Sequence, residues 1–207
     1  MLEKRGKLIV VSGPSGAGKS TVINQVMHRR ADLCFSVSAT TRDPRPGEVD
    51  GVDYFFVSWD EFDRMIENNA LLEHAEYVGN CYGTPQSFVE QKQREGMNVL
   101  LDIEVQGARQ IRDRVPDAVK IFIIPPSLQA LEQRLRGRQT DEEEKIHSRL
   151  ARARSEYREA DFYDYIVVND DVERAAAELD AIITAELCRY AERKAYLNPD
   201  GSPFLNF

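Results

Sequence analysis

Gly13-Pro14-Ser15-Gly16-Ala17-Gly18-Lys19-Ser20 follows the apolar run Leu8-Ile9-Val10-Val11 and opens onto a helical stretch from Lys19 to Arg30. The pattern is G-x-x-x-x-G-K-[ST] set between a strand and a helix, the context in which it forms a phosphate-binding loop. Its three glycines let the backbone curl until successive N–H groups converge on phosphate oxygens, with the positive end of the helix behind them. Lys19 is expected to reach the outer phosphates of a nucleoside triphosphate, and Ser20 to hold Mg²⁺.

Working outward, strands alternate with helical patterns through most of the 207 residues. Lys7 to Ser12 reads as the first strand. Val99 to Asp102, Lys120 to Ile124 and Tyr165 to Val168 are short apolar runs of the kind buried on both faces of a parallel sheet, each followed by a helix. The fold class is therefore α/β, a phosphate-loop core with a parallel sheet flanked by helices. Residues 35–95 differ: Phe35 to Thr41, Tyr54 to Val57 and Glu76 to Tyr82 are strand-like pieces broken by Pro, Gly and Asn, which suggests an inserted, partly antiparallel subdomain. Its helix, Trp59 to Asn69, opens with Ser58 and Glu61 at capping-box spacing. A second insertion begins near Gly137, where Thr140 and Glu143 repeat that spacing and Asp141 to Glu144 place acids at a helix start. The last helix is expected over Val172 to Ala195, with Val172, Ala175, Ala176, Leu179, Ile183, Leu187 and Tyr190 on one buried stripe. The expected organisation is one domain over 1–207: a core of 5–34, 96–136 and 160–195, insertions at about 35–95 and 137–159, and a tail from 196.

A formal net charge of −8 opposes nonspecific nucleic-acid binding, which needs a broad basic surface. No apolar run is long enough for a membrane span or a signal peptide. Cys34, Cys81 and Cys188 are few and far apart, unlike a disulfide framework or zinc site, and a reducing cytoplasm is the simplest setting. The three histidines, His28, His74 and His147, are scattered and suggest neither metal ligand nor general base. The partners expected are small molecules, with no nucleic acid and no membrane; the sequence is compatible with a monomer or a homo-oligomer.

The loop alone names a triphosphate donor and leaves the second substrate open. GTPase switches need D-x-x-G and N-K-x-D elements, and neither occurs. Instead, Arg42 and Arg45 stand in the proline-stiffened run Ser38-Ala-Thr-Thr-Arg42-Asp-Pro-Arg45-Pro-Gly-Glu-Val-Asp-Gly-Val-Asp-Tyr54. Arginine grips phosphate through paired donors, and proline reduces the entropy lost in aiming it, so the pair suggests a second phosphate group.

Several runs, in order, resemble the guanylate kinase family: the Gly13 to Ser20 loop, Thr40-Thr41-Arg42-x-Pro44-Arg45-x-Gly47-Glu48, Tyr54-Phe55-Phe56, Glu73-His74-Ala75, Gly79 to Thr84, Leu101-Asp102-Ile103-Glu104-x-Gln106-Gly107, Arg134-x-x-Gly137-Arg138 and Val168 to Asp171. The match extends from about Lys7 to Leu187. It implies a nucleoside monophosphate kinase: a core, a GMP-binding insertion, a mobile helical lid, and transfer of the γ-phosphoryl group of ATP to GMP, and to dGMP. By this resemblance the ATP contacts are Gly13, Pro14, Ser15, Gly16, Ala17, Gly18, Lys19, Ser20 and Asn169. Arg42, Arg45, Tyr54 and Tyr82 would bind the GMP phosphate, while Ser38, Glu73 and Thr84 would read guanine. Guanine presents N1–H and N2–H₂ donors to a carboxylate and an O6 acceptor to a hydroxyl, whereas adenine would leave Glu73 unpaired.

Asp102 ends an apolar strand, where phosphate-loop proteins place a carboxylate beside Mg²⁺, and by resemblance it lies between the nucleotides and acts through metal-bound water. Lys19, Arg42, Arg134, Arg138 and Arg149 would surround the migrating group with positive charge when the lid closes. Glu104 stands where the family often has aspartate, and Gln139 where many relatives have glycine. Taken singly, Tyr54 and Tyr82 read also as subdomain packing, Glu73 as a solvated carboxylate, the lid arginines as a solvated helix face, and Asn169 as turn initiation. Two other readings share the fold: a kinase of a phosphorylated sugar, which has little use for Ser38, Glu73 and Thr84 together, and a noncatalytic module that binds phosphopeptides, which typically lacks an intact loop.

Overall fold

The computed structural model describes residues 5–77, 79–137 and 143–197. In chain order, β1 (Leu8–Ser12) leads through the glycine-rich loop into α1 (Lys19–Arg29) and then β2 (Leu33–Phe35). A second group follows: β3 (Ala39–Thr40), β4 (Phe55–Phe56), α2 (Trp59–Glu67), β5 (Leu71–Tyr77) and β6 (Asn80–Pro85). The chain continues with α3 (Gln86–Arg94), β7 (Asn98–Asp102), α4 (Val105–Arg114), β8 (Val119–Ile124), α5 (Leu128–Gly137) and α6 (Glu143–Arg158). It closes with β9 (Tyr165–Val168), α7 (Val172–Leu187) and α8 (Tyr190–Arg193).

The main sheet is parallel, ordered β2-β7-β1-β8-β9. Its inner strands are apolar on both faces because helices cover both. Ile9, Val11, Ile121, Ile123 and Val167 pack with Val22, Ile23 and Val26 of α1 and with Ala175, Leu179 and Ile183 of α7. On the other face Leu8, Val10, Val99 and Leu101 meet Val89 of α3 and Ala108 and Ile111 of α4. Burying each large aliphatic side chain contributes about 1.5–3 kcal/mol before entropy is counted. This core fixes the strand ends on which the site is built. β9 departs from its expected burial on both faces: Ile166 is 60% and Val168 39% exposed. It is an edge strand, covered on the one face where Tyr165 and Val167 pack toward α7, the Tyr165 hydroxyl donating to Glu186.

The second sheet, ordered β4-β3-β6-β5, is antiparallel except for the β3–β4 pair. Ala39, Phe62 and Leu71 form its small core. The capping box of α2 is present: Ser58 Oγ accepts from the Glu61 N–H at 3.2 Å, and Glu61 Oε2 accepts from the Ser58 N–H at 3.4 Å. Two sequence boundaries change. Phe35 to Thr41 divides between the sheets, with Leu33–Phe35 on the main sheet edge and Ala39–Thr40 in the second. Glu76 to Tyr82 is the tip of a β5–β6 hairpin rather than one strand. Gly79 at the tip has φ +70°, which separates two runs that read as one.

α6 lies against α5 through Leu131, Leu135, Ile146, Leu150 and Ala153, a cluster separate from the main core. Thr140, half of the expected capping box, lies outside the described residues, as does the tail from Asn198. The last helix is shorter than expected. Arg189 is extended (ψ 144°) after the Cys188 cap, which turns the chain off the α7 axis, and Tyr190 is 73% exposed instead of buried on the stripe.

Candidate functional site

The glycine-rich loop joins the C-terminal end of β1 to the N-terminus of α1. α2 and α7 close their first turns with side chains, Ser58 and Asp171. α1 does not: its cap is Gly18 in the left-handed region (φ +86°), no side chain accepts from its first turn, and that turn carries no acid. Its free N–H groups and Lys19 therefore form a cationic terminus suited to an anion. Lys19 Nζ donates to the Gly13 carbonyl at 2.8 Å.

The loop is braced from behind. Asn169, 1% exposed at the end of β9, donates from Nδ2 to the Ala17 carbonyl at 2.7 Å. Arg134 on α5 donates to Ala17 O at 3.2 Å and to Asn169 O at 2.7 Å. A Cβ on Gly18 would sit 2.4 Å from Asn169 Nδ2, so the brace itself excludes a side chain there. This bracing is not legible in the sequence, where the resemblance implies an ATP contact for Asn169 and charge around the transferred group for Arg134.

Across from the loop, a cleft of roughly 280 Å³ opens between the two sheets, lined by Lys19, Ser38, Tyr54, Glu73, Tyr82 and Asp102 among others. Residues expected to serve donor and acceptor thus share one cavity. Glu73 is 5% exposed, and its Oε1 accepts from Thr84 Oγ1 at 2.6 Å. The two residues meet because the β5–β6 hairpin folds one strand back on the other. Burial raises the Glu73 pKa, opposed by the hydrogen bonds from Thr84.

Arg42 sits over two rings, its guanidinium carbon 5.3 Å from the centre of Tyr54 and 5.8 Å from that of Phe56. Tyr82 meets Tyr54 edge-on at 6.1 Å. Glu48 accepts from Arg42 Nη2 at 2.9 and 3.0 Å and from the Arg45 N–H at 2.7 Å. These contacts hold the Glu48 carboxyl below the usual carboxylate range, Arg42 contributing most. Thr40 and Thr41 tie the segment to β6: Thr40 Oγ1 donates to Cys81 O at 2.9 Å and Thr41 Oγ1 accepts from the Cys81 N–H at 2.9 Å. The Arg45 side chain is exposed at the rim.

Asp102 ends β7 beside Val11 of β1. Its carboxylate opens to the cleft, but the walls deprive it of bulk water and raise its pKa, against the pull of Lys19 and with Glu104 adding to the rise. Glu104 accepts from Arg152 Nη2 of α6 at 2.7 Å, and Arg152 Nε donates to Glu156 at 3.0 Å. This link from α6 to the cleft floor joins residues 48 apart, and no local pattern announces it. Arg149 lies half-buried one turn before Arg152, and Arg138 lies outside the described residues.

The oxygen donors fit a magnesium ion carried by a nucleotide. Ser20 is exposed at the start of α1 and Asp102 lines the same cleft as Lys19, and Mg²⁺ keeps several waters and takes only one or two protein oxygens beside phosphate. Among the described residues no group of three or more His, Cys, Asp or Glu side chains could cage a metal.

A model of the guanylate kinase family matches residues 5–186. The guanylate kinase of Lactococcus lactis subsp. lactis is 51% identical over 202 residues, spanning 96% of this chain and 98% of that protein. That of Desulfitobacterium hafniense is 49% identical over 197 residues, 95% of this chain and 98% of the relative. A crystal structure of guanylate kinase from Anaplasma phagocytophilum superposes with a TM-score of 0.72 at 36% identity, covering 92% of this chain and 91% of that one.

Proposed function

Since the chain belongs to the guanylate kinase family and phosphorylates GMP, we propose that it binds ATP on the Gly13–Ser20 loop and GMP in the cleft beneath Glu73. The observation that carries this reading is that a single cleft is lined both by Lys19 of the loop and by Glu73 of the second sheet. Such a cleft brings a triphosphate terminus and a guanine-reading carboxylate to one reaction space.

The buried Glu73 carboxylate would accept the N1–H and N2–H₂ donors of guanine, with Thr84 fixing its orientation through Oε1. Ser38 lines the same wall. Arg42, Arg45, Tyr54 and Tyr82 would hold the GMP phosphate. The Tyr54 and Phe56 rings and the Glu48 carboxylate confine the Arg42 fork, so little freedom is lost when it engages.

In the transfer, a GMP phosphate oxygen attacks the γ-phosphorus of ATP, the bond to the β,γ-bridging oxygen breaks, and ADP leaves as GDP forms. Alignment and positive charge do most of the work, with little acid–base chemistry. Lys19 and the α1 terminus would hold the outer phosphates, while Arg134 and Asn169 keep the loop in shape. Arg138 and Arg149 would add charge from the lid, taken as residues 137–159. Asp102 would stand between the nucleotides. Ser20, and Asp102 through water, would hold Mg²⁺, which when bound would neutralise charge on the phosphates.

Among the described residues no helix is long and apolar enough to cross a membrane. With Cys34, Cys81 and Cys188 all unpaired, a reducing cytoplasm is the compartment we assign. An ADP-release assay with GMP, dGMP, AMP and UMP tests the substrate reading. Turnover with GMP and dGMP is expected, and turnover with AMP in preference to GMP would overturn the role given to Glu73.

A further inference from the structure

Gly107 is the third residue of α4, buried, and turned toward the carboxylate of Glu73. A Cβ built on it would lie 2.5 Å from Glu73 Oε2, 3.1 Å from Glu73 Cδ and 3.4 Å from Ile103 Cδ1. Van der Waals contact begins near 3.4 Å, so the first separation is not available to a methyl group.

Neither backbone is free to open the gap. Gln110, one turn along α4, accepts from the His74 N–H at 3.1 Å and donates to the His74 carbonyl at 2.7 Å. Arg114, a further turn along, donates to the Leu71 carbonyl. These contacts fasten α4 to β5 on both sides of Glu73. The carboxylate is fastened too, by Thr84 at 2.6 Å. Any added atom at 107 must therefore displace the Glu73 carboxylate from Thr84.

We infer that Gly107 is a specificity-determining positioning residue, whose missing side chain is the space in which Glu73 presents its carboxylate to guanine. The inference rests on the assignment of Glu73 as the guanine reader. It explains a glycine inside a helix, where glycine is intrinsically poor and where no unusual backbone angle requires it. Alanine suits the helix better, so the local backbone effect of Gly107→Ala favours folding, while the displaced carboxylate reads guanine worse.

The test measures Gly107→Ala, Glu73→Ala and the double variant with GMP, IMP and ATP, alongside thermal unfolding. Gly107→Ala is expected to raise KM for GMP about tenfold or more, the loss of one charge-assisted contact, with KM for ATP within about twofold. Its preference for GMP over IMP, which lacks the 2-amino donor, should shrink. In the Glu73→Ala background the same change should add less than about twofold, because the group it acts through is gone. Multiplying effects in the double variant, or a GMP KM unchanged by Gly107→Ala while Glu73→Ala raises it, would overturn the inference alone. A GMP KM unchanged by Glu73→Ala would overturn the Glu73 assignment beneath it. If Gly107→Ala does not fold, pairing it with Glu73→Asp withdraws the carboxylate by one methylene and should restore folding; failure of the pair would place the clash elsewhere and sink the proposal.

Discussion

Glu48 closes the turn that carries Arg42 and Arg45: its carboxylate accepts from the Arg42 guanidinium at 2.9 and 3.0 Å and from the Arg45 backbone N–H at 2.7 Å. The loop from 42 to 48 is thus closed by its own acid. Glu48→Ala releases both ends of that closure and leaves the Arg42 guanidinium with the Tyr54 and Phe56 rings and the Asp43 carbonyl, to which Nη1 donates at 2.7 Å. KM for GMP is expected to rise several-fold with KM for ATP little changed. Steady-state kinetics in each substrate decide it; a fall in the GMP KM would identify Glu48 as a competitor of the phosphate instead.

Glu73 gives a pH dependence. Burial raises its pKa above the ordinary value of about 4.3. Between those two pKa values the folded chain keeps a proton that the unfolded chain has released, so the group's contribution to stability falls as pH rises through that window. Glu73→Gln should therefore raise the Tm of the unliganded protein at neutral pH. The same change should raise KM for GMP about tenfold or more, because one acceptor is replaced by a donor facing guanine donors. In the wild type the GMP KM should climb as pH is lowered through the raised pKa. A substitution that leaves both Tm and GMP KM unmoved would refute a buried, guanine-reading carboxylate.

The loop, the central strand and the α2 capping box were legible because each depends on neighbours within a few residues. The site's long-range geometry was not. The family resemblance implies a guanine contact for Glu73 and for Thr84 separately, but their hydrogen bond depends on hairpin register, and the hairpin tip at Gly79 lies inside a run that reads as a single strand. Arg152 to Glu104, Gln110 to His74 and Asn169 to Ala17 join distant segments, and nothing periodic marks them. Asn169 shows why: its sequence context, Asn-Asp-Asp before a helix, explains a turn equally well, and only the folded chain shows the amide buried under the phosphate loop.

Lys19 is the one charged side chain of the Gly13–Ser20 loop, the group proposed to meet the outer phosphates, and its charge also acts on Asp102 in the cleft. Lys19→Ala should lower kcat by about a hundredfold or more, the scale on which a preorganised transition-state donor counts. Fluorescence-detected GMP binding should change far less. Turnover near the wild-type level would refute the assignment of the loop as the donor site.

Asn169 offers an isosteric test of the loop brace. Asn169→Asp replaces the Nδ2 donor with an oxygen facing the Ala17 carbonyl at 2.7 Å, in a position 1% exposed. The variant should lose about 2 kcal/mol or more, seen as a Tm lower by about 4–8 °C. KM for ATP should rise while KM for GMP stays near its original value, since the brace touches only the Gly13–Ser20 loop, the proposed ATP site. An unchanged Tm would mean that Arg134 alone holds Ala17.

The end of the last helix separates burial from periodicity. Ile183 is 1% exposed in the main core, while Tyr190, seven residues on and in phase with it, is 73% exposed because the chain turns at Arg189. Ile183→Ala leaves a cavity between α7 and the sheet and should cost about 2–5 kcal/mol. Tyr190→Ala removes a side chain already in water and should stay within about 0.5 kcal/mol. Chemical denaturation of both variants measures the difference. A large loss at Tyr190 would mean that the helix continues past Cys188 and carries the stripe onward, as its 3.6-residue period alone suggests.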